Sequence, residues 1–170
     1  MTAGFHIQPL GPHHDRAAFS CGEASLDDFL KTRARKERDL NFGVPFIASP
    51  MDAHTVVAGY YTLSSHSIEM AEIPVEARRK FPKYPVVPVT LLGRLARSVD
   101  FKTSRMGELL LLDALARAQT AAGTIGSYAV VVDPLNDAAM TFYARYGFLP
   151  LGDGPRRYLP MATIEKLGLL

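Results

Sequence analysis

The stretch from Leu91 to Leu115, LLGRLARSVDFKTSRMGELLLLDAL, constrains the fold of this chain most. Val86 to Ser98 read as a strand. From about Met106 a long apolar helix follows, carrying Leu109, Leu110, Leu111, Leu112, Ala114 and Leu115. Between them lies a polar, partly basic loop, Asp100 to Arg105. A strand that feeds a helix through such a loop leaves the first helical N–H groups open to an anion. Lys102 and Arg105 add positive charge, so the expected anion is a phosphate or pyrophosphate. Neither G-x-x-x-x-G-K-[ST] nor G-x-G-x-x-G occurs, which argues against nucleotide hydrolysis and Rossmann-type binding.

The length of 170 residues fits one domain, 1–170, with a substantial core. No apolar run approaches the length of a membrane span, so no membrane contact is expected. The opening MTAGFHIQPL has no basic region followed by an apolar stretch, and no signal peptide is expected. The single Cys21 leaves no internal disulfide and suggests a reducing, cytoplasmic setting. With a net charge of only +2, nucleic-acid binding has to rest on local clusters of charge.

In chain order, Phe5 to Pro9 read as a first strand. Ser25, with Asp28 three residues on, has the capping-box pattern of a helix start. Leu26, Phe29, Leu30 and Ala34 then recur at helical spacing. The second half of this helix is crowded by Lys31, Arg33, Arg35, Lys36 and Arg38, which read either as a solvated helix end or as a surface for an anionic partner. Pro45 to Ser49 and Thr55 to Ser64 read as strands about a turn at Pro50–Met51–Asp52. Gly59 inside the second hints at a bulge or a close backbone approach. Ile73 to Pro85 is a proline-bounded insertion with a second basic cluster, Arg78, Arg79, Lys80 and Lys83. A turn at Gly123 to Gly126 precedes a buried strand, Tyr128 to Val132. Asn136 caps a helix that runs to Tyr146 and stops at Gly147. Phe148 to Leu151 and Arg157 to Pro160 read as final strands around Gly152–Asp153–Gly154–Pro155.

Several blocks in this order resemble a known family. The six positions Lys102, Thr103, Ser104, Arg105, Met106 and Gly107 resemble the Q/R-x-x-G-x-G/A loop of GCN5-related N-acetyltransferases, with Gly107 matching, Lys102 a basic stand-in and Arg105 in place of the first glycine. F-x-C-G-x-x-x-L-D-x-F-L at Phe19 to Leu30, G-Y-Y-T-L-S at Gly59 to Ser64, P-V-x-L-L-G-R-L-A at Pro88 to Ala96 and V-V-D-x-x-N-x-A-A-x-x-F-Y-x-R-Y-G-F at Val131 to Phe148 together resemble the acetyltransferase toxins of bacterial toxin–antitoxin pairs. The resemblance spans nearly the whole chain. It implies an α/β (α+β) fold: a mostly antiparallel mixed sheet with a splayed strand at an acetyl-CoA site and helices on both faces. It implies acetyl transfer from acetyl-CoA to the amino group of aminoacyl-tRNA, a ribbon-helix-helix antitoxin as partner, and a homodimer. By the same resemblance Leu95, Ala96 and Arg97 would pair with the pantetheine arm, Lys102 to Gly107 would hold the pyrophosphate, Asn136 would lie near the cofactor, and Tyr143 would be the general acid beside the sulfur.

The chemistry of the residues leaves alternatives. A tyrosine titrates near ~10 and a thiol near ~8.5, so a protonated Tyr143 can supply a departing thiolate. Helical spacing alone reads Tyr143 as packing beside Phe142 and Tyr146; the F-Y-x-R-Y-G-F block favours the catalytic role. Glu69, Glu72 and Asp133 are candidate bases by chemistry, and no spacing selects among them. An α-amine, near ~7.7, needs a base less than a lysine amine near ~10.4, which favours an α-amine acceptor. The clusters at Arg33, Arg35 and Lys36 and at Arg78, Arg79 and Lys80, with Arg94, are the expected tRNA contacts. The histidines lack ligand spacing, so no metal is expected, and Cys21 reads as buried and structural. A general N-acetyltransferase for a small amine or protein N-terminus is the alternative. A degenerate fold kept for protein binding is a third reading, resting on Arg105 alone.

Overall fold

The computed structural model describes residues 4–170. Residues 1–3, part of the opening stretch read above, lie outside the described residues. Seven strands, β1 (Phe5–Pro9), β2 (Val44–Pro50), β3 (Gly59–Glu69), β4 (Val86–Arg97), β5 (Ala129–Val132), β6 (Leu149–Pro150) and β7 (Arg157–Pro160), form one sheet in the order β1-β2-β3-β4-β5-β7-β6. The pairs β1–β2, β2–β3, β5–β7 and β6–β7 are antiparallel, whereas β4 and β5 are parallel. The parallel register runs from Thr90↔Val130 to Leu92↔Val132, while β4 itself continues to Arg97. The helices are α1 (Ala24–Thr32), α2 (Ala34–Asp39), α3 (Val75–Arg78), α4 (Met106–Ala122), α5 (Asp137–Arg145) and α6 (Met161–Glu165).

The chain divides into two compact units, one of residues up to Ser64 with Gly93–Ala114, the other of Ser65–Leu92 with Leu115–Leu170. In the first, Leu10, Phe19, Phe29, Leu30, Ala34, Ile47, Val57, Tyr60 and Ala96 make one core cluster. The buried tyrosine hydroxyls of this unit have partners: Tyr60 donates to the Leu26 carbonyl at 2.7 Å, and Tyr61 donates to the Asp113 carboxylate at 2.6 Å. In the second, Ile68, Ile73, Val87, Val89, Ala129, Val131, Leu151 and Tyr158 cluster, and Phe81 meets Tyr128 edge to face at 4.7 Å between centroids. Along α4, Met106, Leu110, Leu111, Ala114, Leu115 and Ala118 are wholly buried, the spacing of one helical face.

The expected strand at residues 86–98 and the helix from Met106 are present almost to the residue. Several local expectations are corrected. Ser25 is not the cap: α1 starts at Ala24 with Glu23 as N-cap and no side-chain cap bond. Asp27 Oδ1 instead accepts the Cys21 N–H at 2.9 Å, which draws the chain into the helix before Ser25 is reached. The one expected helix is two, broken at Arg33 (φ −124°). Just before the break Thr32 Oγ1 donates to the Asp28 carbonyl at 2.6 Å, a back-bond that bends helices. The strand expected over 55–64 is displaced to Gly59–Glu69, because residues 53–56 turn (Val56 N–H to Ala53 carbonyl, 3.1 Å) and the polar SSHSIE run continues the strand. Cys21 is half-buried rather than buried, and burial raises its thiol to about 11. Among the described residues no helix is long and apolar enough to cross a membrane.

At Gly59, β3 packs tightly against β4 and α4. A Cβ there would stand 2.9 Å from the Ala96 carbonyl oxygen, 2.9 Å from Leu110 Cδ1 and 3.0 Å from Met106 Cγ. The Ala96 oxygen is backbone and cannot yield cheaply. Gly59→Ala is therefore expected to destabilise by about 1–3 kcal/mol, the range for overpacking. A urea midpoint equal to that of the unmutated chain would contradict this packing.

Candidate active site

In the first unit the candidate residues lie on the end of β4, the loop and the start of α4. Leu95 is half-buried, Ala96 is buried and Arg97 is exposed. The Arg97 guanidinium donates to the Lys102 carbonyl at 3.2 Å, closing the loop on the strand that feeds it. A 3-10 turn, Val99–Phe101, is fixed at both ends: Ser98 Oγ accepts the Asp100 N–H at 3.2 Å, and Ser104 Oγ donates to the Phe101 carbonyl at 2.7 Å. Lys102 and Thr103 are left exposed.

The turn into the helix is made by Arg105, at φ +55°. This is the left-handed region that glycine enters freely and other residues enter at a cost of about 1 kcal/mol. The Arg105 carbonyl accepts the N–H of Leu109 at 3.1 Å, so the helical ladder closes directly on the turn and the N–H groups of Met106 and Gly107 precede it. Met106 is wholly buried and anchors the turn, and Gly107 follows without a side chain. The Arg105 guanidinium, 77% exposed, pairs with the Glu108 carboxylate at 2.7 Å. The loop thus offers backbone N–H groups, a lysine and an arginine together, a donor set suited to a pyrophosphate.

In the second unit the candidate residues lie on and around α5. Asn136 is the N-cap of α5, its Oδ1 accepting the Ala139 N–H at 2.9 Å. Tyr143 is 7% exposed, with the rings of Phe142 and Phe148 each 5.2 Å away. Burial pushes its hydroxyl well above the usual tyrosine range, so it stays protonated. Of the candidate bases, Asp133 is engaged by Arg156 through two bonds, 2.7 and 2.9 Å, and Arg156 also reaches His66 Nε2 at 3.2 Å. Glu69 and Glu72 form a reciprocal capping box. Among the described residues no group of three or more His, Cys, Asp or Glu could hold a metal ion.

The expected RNA contacts fare differently. Arg35, Lys36, Arg79 and Lys80 are exposed. Arg78 is turned inward, donating to the carbonyls of Ala71 at 2.8 Å and Ile73 at 3.2 Å. Arg94 lies 3.7 Å over the ring of Phe29, which Arg33 approaches at 5.3 Å. Arg156 and the Tyr61–Asp113 bond were not legible, because each depends on a partner far away in the sequence.

Two expectations follow. Arg105→Gly and Arg105→Ala both remove the guanidinium, but only glycine is at ease at positive φ. The glycine variant should be the more stable of the two by about 1 kcal/mol in urea unfolding; equal midpoints would contradict the left-handed turn. Arg94→Ala should lower stability by about 0.5–2 kcal/mol through loss of its packing on Phe29, a change that unfolding measured without RNA detects.

No protein-family profile matches the chain. It is 34% identical over 170 residues to a probable toxin TacT of Sinorhizobium fredii (strain NBRC 101917 / NGR234), covering 95% of this chain and 93% of that protein. It is 38% identical over 134 residues to a tRNA-acetylating toxin of Mycobacterium tuberculosis (strain ATCC 25618 / H37Rv), covering 79% and 78%. Among solved structures, AtaT complexed with acetyl-methionyl-tRNAfMet matches with a TM-score of 0.89 at 29% identity, over 96% of this chain and 99% of that one. A mutant AtaT toxin bound to the C-terminus of the antitoxin AtaR and acetyl-CoA matches with a TM-score of 0.81 at 26% identity, over 96% and 97%. With the expected strand–loop–helix in place and this similarity running nearly end to end, the chain belongs to the tRNA-acetylating toxins, the GCN5-related N-acetyltransferase toxins of bacterial toxin–antitoxin systems.

Proposed function

We propose that this chain transfers an acetyl group from acetyl-CoA to the α-amino group of aminoacyl-tRNA and so blocks translation. The observation that carries the reading is the 38% identity to a tRNA-acetylating toxin, and the loop from Lys102 to Gly107 supports it chemically. Lys102, Arg105 and the backbone N–H groups of the Lys102–Gly107 loop hold the pyrophosphate, and the end of β4 at Leu95, Ala96 and Arg97 pairs with the pantetheine arm through its backbone. Asn136, whose Oδ1 caps α5, lies near the cofactor in this reading.

Acetyl-CoA supplies a thioester whose carbonyl carbon is attacked by a neutral amine. The C–N bond forms and the C–S bond breaks. Tyr143 gives its hydroxyl proton to the leaving sulfur. The amine nitrogen loses one proton, which restores Tyr143, and an ammonium acceptor first gives another to solvent. Burial serves this role, because a tyrosine held protonated is an acid at every working pH. Arg105 works in place of glycine: its backbone makes the left-handed turn, and its guanidinium adds the charge that a glycine lacks.

The same reading takes the acceptor tRNA as a partner, a ribbon-helix-helix antitoxin as the silencing partner, a homodimer as the working form and the cytoplasm as the place of action. The exposed cations Arg35, Lys36, Arg79 and Lys80 support an RNA partner, since phosphate contacts dominate such binding.

Tyr143→Phe keeps the ring and removes the proton. It should lower single-turnover acetylation of charged tRNA by about 10²–10⁴-fold, with the acetyl-CoA-induced rise in Tm retained. Unchanged turnover would remove Tyr143 from the mechanism. Because burial raises its hydroxyl, the unmutated chain should show no alkaline fall from loss of this acid up to about pH 10; a pH–rate profile of the chemical step falling near pH 8 would contradict it.

A further inference from the structure

We propose that a basic hollow between the β1–α1 loop and α2 binds a backbone phosphate of the acceptor RNA; this rests on the reading above and locates its partner. Leu10, His14, Arg16, Arg35 and Arg38 line a cavity of about 310 Å³. A second hollow of about 390 Å³ shares His14 and Arg16 and adds Lys31 and Asp15. Four cations and a histidine therefore surround a concave surface, within the size range of small-ligand sites.

The cations are positioned by the backbone. Arg16 Nη1 donates to the carbonyls of Leu30 at 3.1 Å and Lys31 at 3.3 Å, at the C-terminal end of α1, where a cation also suits the helix dipole. Arg38 donates to the Leu10 carbonyl and pairs with Asp39. Arg35 stands at the rim, its side chain 71% exposed and its pairing with Asp39 long, at 3.9 Å. His14 is 5% exposed, and its Nδ1 accepts the Gly11 N–H at 2.9 Å. Burial, with His13 beside it, lowers the imidazole to about 4, so the ring is neutral, and its Nε2 lies 3.4 Å from the Gln8 side-chain nitrogen. The one carboxylate on the lining, Asp15, accepts the Ala18 N–H at 3.3 Å.

A lining of guanidinium groups and a lysine suits an acceptor-only oxyanion. A small amine or a protein N-terminus brings none, whereas RNA brings one per nucleotide. An acidic peptide brings carboxylates, but the turn closing α2 also exposes Phe42, at 72%, and ring faces stack bases. Asn41 holds that turn at φ +59°, so Phe42 is presented by a set backbone.

The test uses the full chain and the double variant Lys31→Glu with Arg35→Glu, two exposed side chains that carry none of the carbonyl bonds above. The KM for charged tRNA should rise by about tenfold or more at about 0.1 M salt. The slope of log K against log salt for tRNA binding should fall by about 0.7–0.9 for each phosphate that the variant no longer engages. The KM for acetyl-CoA should not move, and Arg35→Lys with Lys31→Arg should restore binding. Lys166→Glu, the same type of charge reversal on an exposed side chain elsewhere, should have little effect. An unchanged KM for charged tRNA, or an equal effect from Lys166→Glu, would overturn the proposal. So would weaker binding of an acidic antitoxin peptide with tRNA affinity intact. Fluorescence anisotropy with uncharged tRNA reads the hollow without turnover, so absence of transfer, which is failure of the functional reading, is seen separately from absence of the binding change.

Discussion

The absence of a side chain at residue 59 sets how closely the first unit can pack. At Gly59 the backbone of β3 meets the Ala96 carbonyl of β4 and the Met106 and Leu110 side chains of α4. A longer side chain would push α4 off the sheet or β4 out of line, and the loop between them would move with either. The loop is further pinned by the Arg97 bond to Lys102, by Ser98 and Ser104, and by the buried Met106. The path of this segment thus follows from packing beneath it, and the loop's own sequence can depart from the family pattern without losing that path.

Arg105 is such a departure. The sequence has an arginine where the resembling loops carry glycine, and leaves open whether the backbone tolerates it. The chain enters the left-handed region there at φ +55°, and the Glu108 carboxylate holds the exposed guanidinium. The strain of about 1 kcal/mol is small beside the burial of Met106, Leu110 and Leu111, each able to contribute about 1.5–3 kcal/mol. Packing of α4 outweighs the local preference of one residue.

What the sequence made legible was the part written in periodicity. The Leu91–Leu115 stretch, β1, α5 with its Asn136 cap and Gly147 stop, and β7 follow from local pattern. What it hid depends on partners distant in sequence or on competition between local bonds. Ser25 lost the cap because Asp27 took the Cys21 N–H, and the α1–α2 break answers to Thr32 bonding backwards. α6, Met161–Glu165, was missed because it is one short turn after a proline. Among the site residues, exposure of the Lys102–Arg105 loop was legible and the inward turn of Arg78 was not, since its acceptors are the carbonyls of Ala71 and Ile73. The basic run Arg33–Arg38 hid three duties under one charge: Arg33 lies against Phe29, Arg38 holds the Leu10 carbonyl and Arg35 faces water.

The central claim, that the acceptor is the α-amine of an amino acid esterified to tRNA, is tested most directly by product identity. Total tRNA would be aminoacylated, incubated with this chain and isotopically labelled acetyl-CoA, digested to the terminal aminoacyl-adenosine and read by mass spectrometry. The account predicts labelled acetyl on the α-nitrogen of one or more aminoacyl-adenosines, and none on uncharged or N-blocked tRNA. Label on free peptides or small amines, with no aminoacyl-adenosine acetylated across the whole pool, would contradict it.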